Sequence, residues 1–156
     1  MGTKEYFDLN NCTMVYFQRD NIGTNNYDLR IPVGGSGSTN PNHISLPRSG
    51  RVVGFIIEIY GVDMDSKMGG NGGSYTSTYR IRIYDNETES TYDTVVANTV
   101  YENSSGNSWN TGFIPLATPA KFKEHDGLFL RRNAISSTSG AVSGADICGW
   151  VYIQYD

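Results

Sequence analysis

The stretch RVVGFIIEIY, residues 51–60, decides the fold of this chain. Its two alternating sets of residues are both apolar: Val53, Phe55, Ile57 and Ile59 on one face, and Val52, Ile56 and Tyr60 on the other. A strand that is apolar on both faces belongs in the middle of a packed sheet. The β-branched side chains, and a glycine at each end of the stretch, favour a strand over a short buried helix.

Shorter apolar segments separated by turn residues follow along the chain. The clearest is TYRIRIY, residues 78–84, in which Tyr79, Ile81 and Ile83 alternate with two arginines, a pattern typical of a strand with one buried face. Residues 147–155 alternate in the same way, with Trp150 and Tyr152 facing away from the aliphatic residues. Residues 113–116 and 121–123 are predicted as separate short strands, because prolines interrupt them.

About eight such strands, spaced roughly 8–15 residues apart, predict an all-β protein. The expected fold is a two-sheet antiparallel β-sandwich with jelly-roll topology, since no segment holds a helical period over about 11 residues. An immunoglobulin-like sandwich and a small barrel are the alternatives. We expect one domain over residues 1–156, with residues 1–33 as an N-terminal arm or edge strands and the Gly- and Ser-rich residues 34–42 as a flexible loop.

Composition and charge exclude several classes of function. Only 18% of the residues are charged, the formal net charge is −4, and no stripe of lysine or arginine is present, so nucleic-acid binding is not expected. No apolar run approaches the roughly 20 residues of a membrane span. The first residues, MGTKEYFDLNN, lack the pattern of a signal peptide, which predicts synthesis in the cytoplasm.

No motif for an enzyme, a cofactor or a metal is present in the sequence. His43 and His125 stand among turn residues and have no further ligand types at a suitable spacing. Cys12 and Cys148 are predicted to be reduced, buried thiols rather than a disulfide. Glu58 is the one acid inside a strongly apolar strand, and a buried or interface partner such as Arg80 or Arg82 would explain it.

Five residues are candidates for contact with a ligand or a partner. Asp63 and Asp65 resemble the first ligands of a calcium loop, but the positions that need Gly and Glu hold Met68 and Ser74. Tyr75, Trp109 and Asn110 are predicted in or beside polar loops, where aromatic rings stack on sugars or pack against other proteins. The same aromatic residues would also serve simply to cover the ends of the sandwich.

The segment ISLPRSG, residues 44–50, leading into residues 51–60, and the final GWVYIQY, residues 149–155, resemble small, trimeric jelly-roll proteins on bacteriophage virion surfaces. These are capsid decoration (cement) proteins and the knobs of fibres. The resemblance implies a non-enzymatic structural protein on the virion surface, made in the host cytoplasm. It also implies a homotrimer that binds the major capsid protein or other virion proteins, with the segment before Gly34 as its anchor.

Two other functions remain as alternatives. One is a receptor-binding or carbohydrate-binding, lectin-like module that meets a cell-surface glycan with residues 61–78 and 102–112 at its tip. The other is a small enzyme of the cupin type, which would need a cluster of metal-binding histidines, whereas this chain has two isolated ones. An anchoring protein is expected to bind through residues 1–33 or one flat face, and a lectin through its aromatic loops.

Overall fold

The computed structural model describes residues 11–22, 27–32, 41–60, 74–102, 108–137 and 145–156. Within them the chain forms ten β-strands: β1 (Thr13–Ile22), β2 (Tyr27–Asp28), β3 (Ile44–Ser45), β4 (Gly50–Tyr60), β5 (Ser74–Asp85), β6 (Ser90–Glu102), β7 (Ser108–Asn110), β8 (Ile114–Phe122), β9 (Gly127–Ser137) and β10 (Ala145–Tyr155). No helix in this described part of the chain is long and apolar enough to cross a membrane.

The strands form two antiparallel sheets. In the first sheet the order is β1, β10, β4, and both β7 and β8 pair with the far edge of β4. In the second sheet β2 and β3 both pair with β9, which is followed by β5 and β6. The order β1-β10-β4 with β7 and β8 in one sheet, and β2 and β3 with β9-β5-β6 in the other, is that of a jelly roll, so the predicted β-sandwich is confirmed.

The hydrophobic core lies between the two sheets. Tyr79, Ile81 and Ile83 of β5 are fully buried and belong to it, while the two arginines between them face outward and are half-buried, as the alternation predicted. The last strand, β10, also follows its predicted pattern, with its aliphatic residues in the core and Trp150 and Tyr152 on the opposite face. The period-2 pattern therefore places these side chains correctly.

Strand β4 occupies the predicted central position, but the prediction of its faces is wrong at one residue. A β-bulge shifts the register between Val52 and Gly54, so that Val52 lies in the core with Phe55, instead of sharing the outer face with Ile56. An extra residue in one strand reverses the alternation on one side of it. Ile56 and Glu58 face outward from the first sheet and are half-buried.

Two connections differ from the sequence prediction. Residues 114–122 form the single strand β8, although its pairing with β4 jumps from Pro115 to Ala120, and the residues between them form the irregular part of the strand. Prolines are tolerated at such an irregularity because no ladder hydrogen bond is lost there. The predicted polar loop over 102–110 instead contains the end of β6 and the short β7. Of the predicted loop over 34–42, residues 34–40 lie outside the described residues.

Candidate functional site

The outer face of the first sheet carries a cluster of aromatic and apolar side chains. We call it the aromatic face, and it consists of Met14, Tyr16, Ile56, Phe113, Trp150 and Tyr152. The register explains why they meet, because Trp150 stands between Tyr16 of β1 and Ile56 of β4, and Tyr152 stands between Met14 and Gly54. Cross-strand partners share a face of the sheet, so each row presents its side chains together.

The rings of the aromatic face pack in two pairs. Tyr16 and Trp150 have their ring centroids 5.4 Å apart with the planes tilted by 50°, and Phe113 meets Tyr152 edge-on at 5.2 Å. Gly54 makes the second pair possible, since a Cβ at this position would lie only 2.4 Å from Cζ of Phe113. The face is therefore a packed and largely preformed surface rather than a set of independent side chains.

The aromatic face is in part accessible to solvent. Met14 is 57% exposed and is the one large hydrophobic residue classed as exposed among the described residues, while the five other members are half-buried. Aromatic and methionine side chains are enriched at contacts between proteins, and a contiguous apolar patch on a soluble domain marks such a contact.

Polar side chains close the aromatic face at its two ends. At one end Arg51 donates two hydrogen bonds to Oε1 of Gln154, from Nε at 3.0 Å and from Nη2 at 2.7 Å. At the other end Glu58 stands beside Cys148, whose cross-strand neighbour on β1 is Gln18. The face is thus apolar in its middle and charged only along its borders.

Cys148 is buried beneath the Glu58 end of the face. Burial raises the pKa of its thiol to about 11, the charge of Glu58 adds to this rise, and a hydrogen bond with Tyr16 opposes it. The thiol therefore stays protonated near neutral pH and is a poor nucleophile.

Cys12 and Cys148 do not form a disulfide, as predicted, although Cys12 is only half-buried. The register separates them, because Thr13 pairs with Ile153 whereas Cys148 pairs with Gln18. Cys12 is therefore about six residues from the position opposite Cys148, which corresponds to about 20 Å along the strand. A disulfide needs Cα atoms within about 7 Å.

The suggested pairing of Glu58 with Arg80 or Arg82 does not occur within the protomer. Glu58 points outward from the first sheet, whereas the two arginines lie on the outward face of β5 in the second sheet. Two layers of strands and the core separate the groups. No ion pair of Glu58 is found within the described part of the chain.

An apolar groove of about 530 Å³ opens at the edge of the sandwich beside the aromatic face. It is lined by Thr13, Met14, Val15, Tyr16, Ile31, Pro32, Ile44, Ser45, Leu46, Pro47 and Tyr155. No lining residue carries a charge, so the groove offers mainly shape and apolar surface, with hydroxyl groups as its polar side-chain groups.

The acidic turns between β5 and β6 and between β8 and β9 have a structural role. Asp126 is 2% exposed and accepts hydrogen bonds from the backbone N–H groups of Asn86 (3.2 Å) and Lys123 (2.8 Å). Asp85 accepts from the N–H groups of Glu87 and Thr88, and the bond from Thr88 is the main reason that its pKa is lowered. Within the described ranges no group of three His, Cys, Asp or Glu residues is placed to hold a metal ion.

The two histidines lie in exposed positions, as the turn residues around them predicted. His43 stacks on the ring of Phe129 at 4.9 Å, and its Nδ1 lies 3.1 Å from the side chain of Asn42. His125 has a positive φ of 71° in the turn before β9. Neither histidine faces a concave site with a nucleophile or a further ligand among these neighbours.

The candidate contact residues predicted from the sequence do not coincide with the aromatic face. Asp63 and Asp65 lie outside the described residues. Tyr75 and Trp109 were expected in loops, but the backbone places Tyr75 in β5 and Trp109 in β7, because both sheets extend further than predicted. Asn110 is exposed, and its Oδ1 accepts the N–H of Gly112 at 2.7 Å. A contact role for these five residues stays a prediction.

Sequence reasoning found two of the six residues of the aromatic face without recognising the cluster. The alternation of β10 already placed Trp150 and Tyr152 opposite the core. The partners on β1 and the ring of Phe113 depend on the pairing of strands far apart in the chain, and a single strand pattern does not contain that information.

Comparisons with known proteins leave the family of this chain open. No family model matches it, and no curated protein matches it. Solved structures that it resembles include Eiger TNF from S. frugiperda, with a TM-score of 0.36 at 12% identity over 92% of this chain and 94% of that one. Another is desmodium yellow mottle tymovirus, with a TM-score of 0.30 at 15% identity over 92% and 81% of the two chains. Similarities of this size carry no argument about function.

Proposed function

We propose that this protein is a non-enzymatic structural component of a virus particle surface, of the decoration or fibre type carried by bacteriophages. In this proposal it binds other virion proteins, and the aromatic face is a contact surface between neighbouring proteins of the particle. The resemblance of residues 44–60 and 149–155 to virion jelly-roll proteins supplies the class of protein, and the face supplies the surface.

The observation that carries the proposal is the shape and chemistry of the aromatic face. It is a packed, largely apolar area on the outer side of the first sheet, with Met14 exposed in it. Small-molecule sites combine apolar walls with a few converging polar groups. A face with aromatic residues in its middle and polar residues on its border has the anatomy of a protein–protein contact.

A structural role also agrees with the way the charged groups are used. Asp126 and Asp85 hold turns together through backbone hydrogen bonds, and Lys123 pairs with Glu87 on the surface. These bonds stabilise the connections between strands and leave no cluster of perturbed acids or bases at a cleft among the described residues. Active sites are recognised by such clusters.

The direct test is to locate the protein on particles. Particles are purified from cells infected by the virus that encodes this sequence, analysed by mass spectrometry, and labelled with gold-conjugated antibodies raised against the purified chain. We expect the chain among the particle proteins, with the label on the outside of the particle. A chain found only in the soluble fraction, and absent from purified particles, would overturn the proposal.

A pair of matched variants connects the face to incorporation into the particle. Trp150→Ala removes the central ring of the aromatic face, while Tyr84→Ala removes an outward aromatic side chain from the second sheet. We expect the first variant to be depleted from particles and the second to be incorporated normally. Equal incorporation of the two folded variants would show that the face is not used in the particle.

A carbohydrate-binding function is the second candidate, because Tyr16 and Trp150 stand between the amide side chains of Gln18 and Gln154. Rings stack on sugars and amides bond to hydroxyl groups. The 50° tilt between the two rings is unfavourable for a long polysaccharide, which needs rings in one plane. Binding on a glycan array that is lost in Trp150→Ala, and kept in Tyr84→Ala, would favour this candidate.

A further inference from the structure

The charges at the borders of the aromatic face have opposite signs at its two ends. Arg51, near the start of β4, marks one end, and Lys121 adds a second cation there because its backbone pairs with that of Arg51. Glu58, near the end of β4, marks the other end, where it pairs across the strands with Cys148. Arg51 and Glu58 pair with Gln154 and Cys148 of β10, and these positions lie about 20 Å apart along the strand.

Arg51 and Glu58 both have binding capacity that the described part of the protomer does not use. Two of the five N–H donors of Arg51 are used by Oε1 of Gln154, which fixes the guanidinium and leaves three donors for another acceptor. Glu58 is half-buried between Cys148 of β10 and Asn110 of β7, and it has no ion pair with a described residue. A half-buried carboxylate has lost part of its hydration, and a cation from a partner would compensate for that loss.

We propose that the aromatic face of one copy docks on the aromatic face of a second copy, so that Glu58 of each copy meets Arg51 of the other. The inference rests on the assignment of this face to contacts between proteins. The two-fold axis would lie in the plane between the two docked aromatic faces and run perpendicular to the strands. Rotation about it turns β4 of one copy antiparallel to β4 of the other. That rotation brings the acidic end of each copy over the basic end of its partner, which makes the face self-complementary.

Charge is the reason for naming a second copy as the partner. Each chain carries a net charge of −4, so two copies repel one another at long range. They associate best through a surface whose middle is uncharged and whose ends attract, and the aromatic face has both properties. A partner with one uniform charge would be attracted at one end of the face and repelled at the other.

The size of the face sets the expected strength of the dimer. The part between Cys148 and Gln154 is about 20 Å long, and three strands are about 14 Å wide, which gives a projected area of about 300 Å² per copy. A stable dimer buries about 800 Å² per partner. The contact is therefore expected to be weak and concentration-dependent in solution, and to be reinforced where particle proteins hold many copies side by side.

The test is an exchange of charges, read out by sedimentation equilibrium over a wide range of protein concentration. For the unaltered chain we expect the mass to rise from 17.2 kDa towards twice that value as the concentration increases. Glu58→Arg and Arg51→Glu each place like charges opposite one another and are expected to weaken the dimer by about tenfold or more. The double variant, Arg51→Glu with Glu58→Arg, restores the opposite charges and is expected to recover the dimer. Glu124→Arg, in an exposed turn, is the matched control and is expected to leave the mass unchanged.

Several results would overturn the two-fold contact. A monomer at all concentrations, single variants that associate as well as the unaltered chain, or a double variant that does not recover would each overturn the two-fold contact. A mass of three protomers, which the sequence resemblance predicts, would also overturn it, because a three-fold axis does not bring Glu58 of one copy over Arg51 of the next. If Glu58→Arg does not fold, Glu58→Gln removes the charge at nearly constant shape, and an unweakened dimer then contradicts the proposal. Particle labelling is independent of all these results, so a failed dimer and a failed virion assignment remain distinguishable.

Discussion

Replacing Gly149 with alanine is expected to destabilise the sandwich, although alanine suits a strand better than glycine does. Gly149 lies on the inward side of β10, and a Cβ there would stand 2.4 Å from Cδ2 of Leu130 and 3.0 Å from Cδ1 of Ile57. Both neighbours are fully buried. Non-bonded carbon atoms prefer separations of about 3.5–4.0 Å, so Leu130 would have to move by more than about 1 Å inside a packed core.

Two opposing terms give the magnitude. Removing glycine from the middle of a strand stabilises the folded state by about 0.5–1 kcal/mol. Overpacking a dense core costs about 1–3 kcal/mol. The second term exceeds the first, and the net loss in the free energy of unfolding is about 1 kcal/mol.

Urea unfolding followed by tryptophan fluorescence measures this loss as a lower midpoint at an unchanged slope. Leu130→Ala removes the clashing methyl group, so the double variant with Gly149→Ala should lose less stability than the sum of the two single variants, by about 1–3 kcal/mol. Gly127→Ala is the matched control, since its nearest new contact would be 3.3 Å from Cβ of Tyr84. A neutral Gly149→Ala, or strict additivity with Leu130→Ala, would refute the reasoning.

Three further changes test other parts of the structure. Asp126→Ala leaves two backbone N–H groups without their acceptor and should lower the free energy of unfolding by about 2–4 kcal/mol. Glu124→Ala, in the exposed turn beside it, is the control and should change this free energy by less than about 0.5 kcal/mol. Denaturant titrations measure both values. The pKa of Cys148 is raised to about 11 in the folded chain, so the thiol of the unfolded chain loses its proton at lower pH. The free energy of unfolding should therefore fall as pH rises from about 9 towards 11, and Cys148→Ser should abolish that part of the pH dependence. At pH 8 iodoacetamide should modify Cys12 and spare Cys148, and equal rates by mass spectrometry would contradict its burial. Gly112→Ala should lower the free energy of unfolding by about 1 kcal/mol, because φ is +65° at this position, although nothing stands in the way of a Cβ. An unchanged melting temperature would contradict this expectation.

Local sequence patterns predicted the fold where a strand is regular. The alternation in β5 placed Tyr79 and Ile81 in the core, and the apolar content of β4 placed it in the middle of its sheet. The same reasoning failed at Val52, because a β-bulge between Val52 and Gly54 changes the period by one residue, and the glycine inside the strand, which often marks a bulge, was not used as a signal. It also divided β8 at its prolines, because an irregular strand and two short strands have the same composition.

The candidate site was less predictable than the fold because it depends on pairing between distant parts of the chain. Tyr16 and Trp150 are 134 positions apart in sequence and meet only because β1 pairs with β10. The unusual character of Glu58 was visible in its apolar strand, but the suggested arginines lie on the far side of the other sheet. A partner for Glu58 could be sought only after the sheet order was known.

The sheet order also has a consequence for biosynthesis. The last strand, β10, lies between β1 and β4, so these two early strands have no common neighbour until residues 145–155 have left the ribosome. Until then the inner edges of both strands remain open, and pairing between strands so distant in sequence is slow. Nascent chains are therefore expected to depend on chaperones, or on rapid completion of translation, to avoid aggregating through these open edges.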